Sequence, residues 1–338
     1  MLLRPYFTDL FLTRSSAWPP RLLFAVQIYG DKWCFFTSSQ PQNPYDEESS
    51  SLVATADCHM KFLGDEWLET CGYASGLICF RGHTAISEDD NLPVLCNPST
   101  GQFASLPLPK CINCWRSFLG FDPIDKQFKI LFVSYPKHYE DDNQVEILTL
   151  GTGNDSWKKI HALSEKFKFI HRDFIRYQDR TELINYKGNL GVITRPYSTP
   201  GTRGQLCFSI IKDVEKPEPE WSEDIYSFWE NQFPKCVVYD FWEYLIVGVT
   251  ATGGIVFSMQ DTSKRFYIFF FNPERNTLVS VEIQGFGAAN HGTFQKRSRS
   301  VRVFVDYAED LKFISMKTTY NAATSSPPKQ KRSKFQSL

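Results

Sequence analysis

Residues that could coordinate a metal are scattered along this chain. Cys111 and Cys114 form one Cys-x-x-Cys pair, which is half of a tetrahedral zinc site, but no second ligand pair follows at a suitable spacing. The acidic runs 88–90 and 140–142 lack the alternating ligands and the turn glycine of a calcium loop. The six histidines are dispersed, at positions 59, 83, 138, 161, 171 and 291. We therefore expect no metal site and no cofactor.

Signatures of catalysis are equally weak. The glycines of 151–153, 201–204 and 253–254 do not precede the Lys-Ser/Thr ending of a phosphate-binding loop, so we interpret them as turn glycines. The sequence has no Gly-x-Ser-x-Gly elbow for a hydrolase-type nucleophile. The sequence therefore predicts a protein that is not an enzyme and has no catalytic residues.

One short phrase occurs in three copies and indicates how the chain is organised. Each copy has an apolar residue, then Asn or Asp followed by Pro, then polar turn formers and a return to apolar residues. The copies contain Asn97-Pro98, Asp122-Pro123 and Asn272-Pro273. The Asx side chain accepts hydrogen bonds from nearby backbone and Pro pre-sets φ. These six residues are therefore predicted to be structural, each pair turning one strand into the next.

Composition favours strands throughout. The 338 residues include 29 Phe, 15 Tyr and 8 Trp, and no amphipathic helix of convincing length is present. A propeller blade takes roughly 40 to 50 residues, so the segment 21–315 accommodates about six or seven blades. We predict an all-β fold, a β-propeller-like repeat of short antiparallel sheets. A pair of β-sandwiches is the structural alternative, which the repeated turn phrase disfavours.

Global charge excludes two classes of partner. The formal net charge is −1, so no overall field attracts nucleic acid or an anionic membrane, and no run reaches the roughly 18 apolar residues of a membrane span. The nine cysteines are odd in number and mostly lie within apolar runs, which is typical of reduced core residues in an intracellular protein. We expect protein partners.

The carboxyl-terminal segment differs in composition from the rest. From Thr318 onward Ser, Thr, Pro, Lys and Gln replace apolar residues, which predicts a disordered tail over 318–338. Its basic residues follow Pro327-Pro328 and suit an importin-type address, with a solubilising tail as the alternative. They are Lys329, Lys331, Arg332 and Lys334. We expect the protein in the nucleus, the cytoplasm or both.

Seven segments together carry a resemblance that runs in order from about Met1 to Ile314: 76–80, 94–102, 119–123, 147–153, 183–188, 248–253 and 271–278. In these segments the chain resembles the plant F-box-associated interaction domain family. The resemblance implies a propeller-like domain that recruits a protein substrate. It also implies an amino-terminal F-box that docks the Skp-type adaptor of a cullin ubiquitin ligase.

Two segments depart from that family pattern. Residues 1–14 resemble only the end of an F-box, so we expect no stable complex with the adaptor. Between Trp157–Ile160 and Ser164–Ile170, the strand pair usual in the family is replaced by 161–163. We therefore expect about six blades with one incomplete, and least regularity over 157–181.

These observations predict three parts: an F-box remnant (1–14), the interaction domain (15–317) and the tail (318–338). Two alternative functions stay open, an independent β-repeat binding or scaffold protein and a degenerate copy without function.

Overall fold

The computed structural model describes twenty segments of the chain: 19–28, 32–42, 44–45, 52–63, 68–82, 93–107, 114–122, 124–125, 127–134, 144–150, 156–159, 181–187, 189–194, 205–211, 221–228, 232–233, 244–260, 265–286, 300–309 and 319–321. These residues form strands and turns, and none of their elements is a helix that could cross a membrane. In chain order the strands are β1 (Arg21–Ile28), β2 (Lys32–Ser39), β3 (Leu52–Thr55), β4 (Asp57–Leu63), β5 (Leu68–Ala74), β6 (Leu77–Gly82), β7 (Val94–Asn97), β8 (Gln102–Ser105), β9 (Cys114–Asp122), β10 (Gln127–Ser134), β11 (Gln144–Thr149), β12 (Lys158–Lys159), β13 (Thr181–Tyr186), β14 (Asn189–Thr194), β15 (Gln205–Ile211), β16 (Trp221–Ser227), β17 (Tyr244–Val249), β18 (Ile255–Met259), β19 (Phe266–Asn272), β20 (Thr277–Gln284), β21 (Val301–Tyr307) and β22 (Thr319–Asn321).

These strands form five sheets, which we number as blades in chain order. Blade 1 is β21-β1-β2-β4, blade 2 is β5-β6-β7-β8-β22, and blade 3 is β9-β10-β11-β12. Blade 4 is β13-β14-β15-β16, and blade 5 is β17-β18-β19-β20-β3. The predicted all-β propeller is confirmed, with five blades detected in the described residues where the length estimate suggested about six or seven. The last described strand of blade 3 is Lys158–Lys159 and the first of blade 4 begins at Thr181, and residues 160–180 lie outside the described part of the chain.

The ring is closed by strands from opposite ends of the described chain. β21 is antiparallel to β1, with Leu23 opposite Phe304, so blade 1 combines both ends. The first strands of the blades contact one another, β5 with β9, β13 with β17 and β17 with β21. The Tyr73 ring of β5 lies 5.4 Å from the Phe304 ring of β21. First strands therefore lie innermost, and closure protects their edges.

The core consists of apolar clusters between neighbouring blades, and β19 shows why. Its apolar residues alternate: Phe266, Ile268 and Phe270 pack toward blade 1, whereas Tyr267, Phe269 and Phe271 pack toward blade 4. A strand buried on both faces needs such a continuous apolar run. Further clusters join blades 2 and 3 around Phe132, and blades 1 and 2 around Phe80. In the part of the chain that the structure describes, no core cluster joins blades 3 and 4.

Two strands extend the outer sides of their sheets. β3 lies parallel to β20 of blade 5, with Val281 opposite Leu52. β22 pairs with β8 of blade 2, with Tyr320 opposite Phe103. The three residues of β22 fall inside the segment 318–338 for which the sequence predicts disorder, so regular structure extends at least to Asn321. The rest of that segment lies outside the described residues.

Candidate interaction surfaces

Strand direction divides the propeller into two ends. Connections from the first to the second strand of a blade, and from the third to the fourth, lie at one end, because neighbouring strands are antiparallel. We call this the turn end. Its described hairpin turns are tight, and residues with positive φ occur in several of them: Ser75, Gly76, Gly101, Lys187, Gly253 and Asn276. Connections from the second to the third strand lie at the opposite end.

The three Asn/Asp-Pro phrases all form Asx turns at the turn end. The Oδ1 of Asn97 accepts from the backbone N–H of Ser99 at 2.9 Å and of Thr100 at 3.3 Å. Asp122 Oδ1 accepts from the backbone of Ile124 and Asp125 at 3.0 and 3.2 Å. The corresponding bonds to Asn272 Oδ1, from the backbone of residues 274 and 275, are 2.9 and 3.1 Å long. Each Asx side chain therefore satisfies backbone donors that a tight turn leaves unpaired.

Two of the three phrases are equivalent by position. Asn97-Pro98 and Asn272-Pro273 each connect the third and fourth strands of a blade, and the residue after Pro contacts the preceding blade. Ser99 Oγ lies 2.8 Å from Tyr307 Oη of blade 1. Glu274 forms an ion pair with Lys187 of blade 4. These turns therefore also connect blades.

The third phrase connects the first and second strands of blade 3. Asp122 accepts a hydrogen bond from Lys129 Nζ within its own sheet. That bond, with the backbone bonds from Asp125 and Ile124, holds the pKa of Asp122 below its ordinary value. Pro123 lies outside the described residues. The shared phrase thus occurs at two different places in a blade.

Asp306 joins blades 1 and 5 at the same end. Gln40 Nε2 donates to Asp306 Oδ1 at 2.6 Å, and the backbone N–H of Asp306 donates to Gln40 Oε1 at 2.8 Å. The backbone N–H of Ala251 donates to Asp306 Oδ2 at 2.7 Å. Asp306 has a φ of 52°, an uncommon conformation for a residue with a side chain. Sequence reasoning missed this contact, because a local pattern carries no signal for a pairing across most of the chain.

The turn end is thus held together from blade to blade. Contacts join blade 2 to blade 1, blade 1 to blade 5 and blade 5 to blade 4. The ion pair of Arg21 with Glu309, 3.0 Å apart, adds a contact where β21 leaves blade 1. These contacts indicate that the turn end has a structural role, because they hold neighbouring blades together.

The outer edges of the blades differ in how they are protected. In blade 5 β3 covers β20, in blade 2 β22 covers β8, and blade 3 ends in the two exposed lysines of β12. Blade 4 ends in β16, seven residues long, with no described strand on its outer side. Ile225 of β16 is 61% exposed. An open edge strand is a template for pairing with another chain.

The other residues considered from the sequence do not gather into a chemical site. The described residues hold no group of His, Cys, Asp and Glu arranged to bind a metal ion. Cys34, Cys79 and Cys96 are buried, and burial raises the pKa of the Cys96 thiol to about 12. Lys329, Lys331, Arg332 and Lys334 lie outside the described residues, so the importin-type address stays a prediction. The join at 161–163 and the amino-terminal segment 1–14 lie outside them as well.

Comparison with known proteins matches this architecture. The family model described as an F-box associated beta propeller domain matches residues 21–163 and 161–308. The F-box protein At1g47340 of Arabidopsis thaliana is 40% identical over 355 aligned positions, which cover 90% of this chain and 73% of that protein. The F-box protein At3g57590 of the same plant is 40% identical over 356 positions, which cover 92% of this chain and 83% of the relative.

These alignments also bear on the predicted missing strand pair. Each has more positions than the 338 residues of this chain, so both relatives contain residues that this chain lacks. The two segments matched by the family model meet at 161–163, where the sequence places that absence.

Similarity to solved structures is slight. A protein of unknown function from Dyadobacter fermentans overlaps 78% of this chain and 83% of its own at a TM-score of 0.30 and 10% identity, which supports no inference. The sequence relatives, the family model and the five described blades agree. The chain belongs to the F-box associated β-propeller family.

Proposed function

We propose that this chain is a non-enzymatic interaction module that recruits a protein substrate to an SCF-type ubiquitin ligase, with residues 15–317 as the module. The family supplies the class of function, and its members are named as F-box proteins. The observation that carries the proposal is the closure at blade 1, where β21 pairs with β1 and Asp306 contacts blade 5. A propeller closed in this way presents its edges and loops to partners.

A stiff module is well suited to recruiting a protein substrate. A bound substrate is modified efficiently only when its lysines are held at high effective concentration near the transferring enzyme, and a stiff connection maintains that concentration. The clusters around Phe270 and Phe269 fix blade 5 against both of its neighbours. The module therefore acts by position, with no reacting group of its own.

The test is affinity capture of the tagged chain from plant cells treated with a proteasome inhibitor. We expect co-purification of a substrate that acquires ubiquitin when the chain is expressed, without a stable complex with a Skp-type adaptor, because residues 1–14 resemble only the end of an F-box. Phe269→Ala, which disrupts the core between blades 4 and 5, is the control for captures that do not need the folded ring. A partner captured without any change in its ubiquitin content would instead identify an independent binding or scaffold protein.

The basic residues of the tail carry a second part of the proposal, concerning location. Lys329, Lys331, Arg332 and Lys334 are proposed to direct import, which places the module in the nucleus as well as the cytoplasm. A fluorescent fusion should accumulate in nuclei, and changing all four residues to Ala should remove that accumulation. Unchanged distribution would assign the tail a solubilising role.

A further inference from the structure

The geometry of blade 4 points to a docking site at β16. We propose that an extended segment of a protein partner, carrying Lys or Arg beside apolar residues, pairs with the outer edge of this strand. The proposal rests on the proposed function, since it names the chemistry of the partner that the module recruits.

The backbone of β16 is paired with another described strand on one side only. All seven residues are paired with β15, from Gln205 opposite Ser227 to Ile211 opposite Trp221, without a register shift. In the part of the chain that the structure describes, no strand lies on the other side. An edge of this length offers a row of backbone donors and acceptors, and main-chain pairing with an added strand is a common mode of peptide recognition.

The other blades protect this position in different ways, and in blade 1 the outer strand β4 has no described neighbour but contains Lys61 and a register shift against β2. The edge of blade 5 is covered by β3, whose Leu52 and Ala54 pack on the core, and that of blade 2 by β22. In blade 3 the outer strand is only Lys158 and Lys159, and short lysine-rich edges discourage pairing. β16 has neither Lys nor Pro and is not short. Its edge therefore lacks the usual protection.

Register shows how the side chains of β16 are distributed. Asp224 and Tyr226 lie opposite Phe208 and Leu206, on the face that packs toward blade 5, where the Tyr226 ring is 4.9 Å from that of Phe271. Glu223 and Ile225 lie on the other face, away from that core. Ile225 is 61% exposed there, so an apolar side chain meets solvent within the open edge. Burying it against an added strand would be favourable.

The charges on β16 favour one kind of partner segment. Glu223 and Asp224 are exposed and adjacent, so their carboxylates lie on opposite faces of the strand. Neither has an ion-pair partner among the described residues. A strand added at this edge would place side chains from both of its faces beside these carboxylates. Lys or Arg on that strand would complement them, whereas Asp or Glu would be repelled.

The experiment uses the full chain and two synthetic probes, a nine-residue peptide of alternating Val and Lys and its counterpart of alternating Val and Glu. Calorimetry should show the basic peptide binding about tenfold or more tightly than the acidic one. Hydrogen exchange should slow at the amides of 222–227 when the basic peptide is present. Absence of binding, equal binding of both peptides, or protection located elsewhere would overturn the proposal.

Variants of the chain distinguish docking at the edge of β16 from non-specific binding of the peptide. Ile225→Lys puts a cation into the edge and should weaken the basic peptide about tenfold or more. Ile124→Lys is the matched control, because Ile124 is 89% exposed in a turn of blade 3, and it should leave the affinity unchanged. Glu223→Gln with Asp224→Asn should weaken binding several-fold and flatten its dependence on salt. Equal affinities of the Ile225 and Ile124 variants would overturn the proposal.

Other occupants give distinct results. A dimer of the chain that Ile225→Lys abolishes would show that a second copy occupies the edge, and would overturn the proposal. A substrate found by affinity capture that still binds Ile225→Lys would overturn it while leaving the recruitment function intact. Failure to capture any substrate, with peptide docking as expected, would instead contradict the proposed function.

Discussion

Blades 4 and 5 are neighbours that share one core cluster but are covered to different extents. In blade 5 the central strands are almost entirely buried, one face packs on blade 1, the other on blade 4, and β3 covers the outer edge. In blade 4 Leu206 and Phe208 are buried on the face toward blade 5, whereas Ile225 on the other face is exposed and β16 has no described neighbour outside it. The same four-stranded arrangement is thus largely buried in blade 5, whereas in blade 4 it leaves one side chain and one strand edge exposed.

In a repeat fold, a difference in burial between two blades indicates where a functional surface lies. Because the blades share architecture, the informative residues are those that a blade exposes where its neighbours bury theirs. Deletions of side chains in blade 5 should act on stability, and changes on the outside of blade 4 should act on binding. Substitutions in the two blades can test that division.

The largest effect is expected for Phe269 in the cluster between the two blades. It is fully buried, and its ring lies 5.0 Å from that of Tyr244 and 5.3 Å from that of Phe233. Phe269→Ala should lower the free energy of unfolding by about 3–5 kcal/mol, because a large cavity replaces the ring. Denaturant unfolding followed by tryptophan fluorescence measures it.

The matched change in blade 4 is Ile225→Ala. Since Ile225 is mostly exposed, the free energy of unfolding should change by less than about 0.5 kcal/mol. A loss comparable to that of Phe269→Ala would mean that Ile225 is part of a core, and the contrast between the two blades would fail.

The next effect concerns the covered edge of blade 5. Gly285 follows β20 with a φ of 108°, and a Cβ there would lie 2.2 Å from the carbonyl oxygen of Ala56. The backbone N–H of Ala56 also donates to Gln284 O at 2.7 Å, which holds the end of β3 in place. Gly285→Ala should therefore cost about 1–3 kcal/mol and speed hydrogen exchange in β3. Unchanged exchange in 52–55 would show that β3 does not depend on this close approach.

Much of this fold could be predicted from the sequence where the signal is local. The run that became β19 is apolar, β20 alternates apolar and polar residues over much of its length, and Asn272-Pro273 lies between them. The turn chemistry at Asn97 and Asp122 depends on adjacent residues. The resemblance to a known family supported the prediction of a propeller. Period-2 patterns and turn residues are properties of a few neighbouring positions, so a single sequence contains them.

The remaining features depend on pairings between distant positions. The parallel pairing of β3 with β20, the closure by β21 and the contact of Gln40 with Asp306 join residues far apart in the chain, and no local pattern selects the partner. For the same reason the equivalence of Asn97 with Asn272, but not with Asp122, appears only once the strands are placed in blades. The exposure of Ile225 likewise follows from which faces are covered.

A smaller effect is expected at the turn of blade 5 that faces blade 4. Asn272→Leu removes the acceptor for the backbone of residues 274 and 275 and should lower the free energy of unfolding by about 0.5–1.5 kcal/mol. Affinity for a partner, measured well below the melting temperature, should hardly change. Asn272→Asp keeps the acceptor oxygen and should recover most of the stability. Loss of binding at an unchanged melting temperature would make the turn a contact surface.

The smallest effect belongs to the ion pair between Glu274 and Lys187, which joins the exposed turns of the two blades. The hydrogen bond from Lys187, followed by its charge, lowers the pKa of Glu274, and the hydrogen bond to Glu274 raises the pKa of Lys187. A lowered carboxyl pKa stabilises the fold above the ordinary pKa of Glu, and this contribution is lost as pH falls through the lowered value. The raised Lys pKa gives stability below the ordinary pKa of Lys, which is lost as pH rises through the raised value.

The pair therefore acts between those two ranges, and both side chains are substantially exposed, so salt should screen it. NMR titration of the Glu274 carboxyl should show a pKa below the ordinary Glu value that moves toward it in Lys187→Met. Glu274→Gln should remove the acid-side pH dependence that this carboxyl contributes, with no effect on partner affinity. If Lys187→Met leaves the Glu274 titration where it was, the two blades are joined by their shared core around Phe269 and Phe271 alone, and the turn end is less connected than the distances indicate.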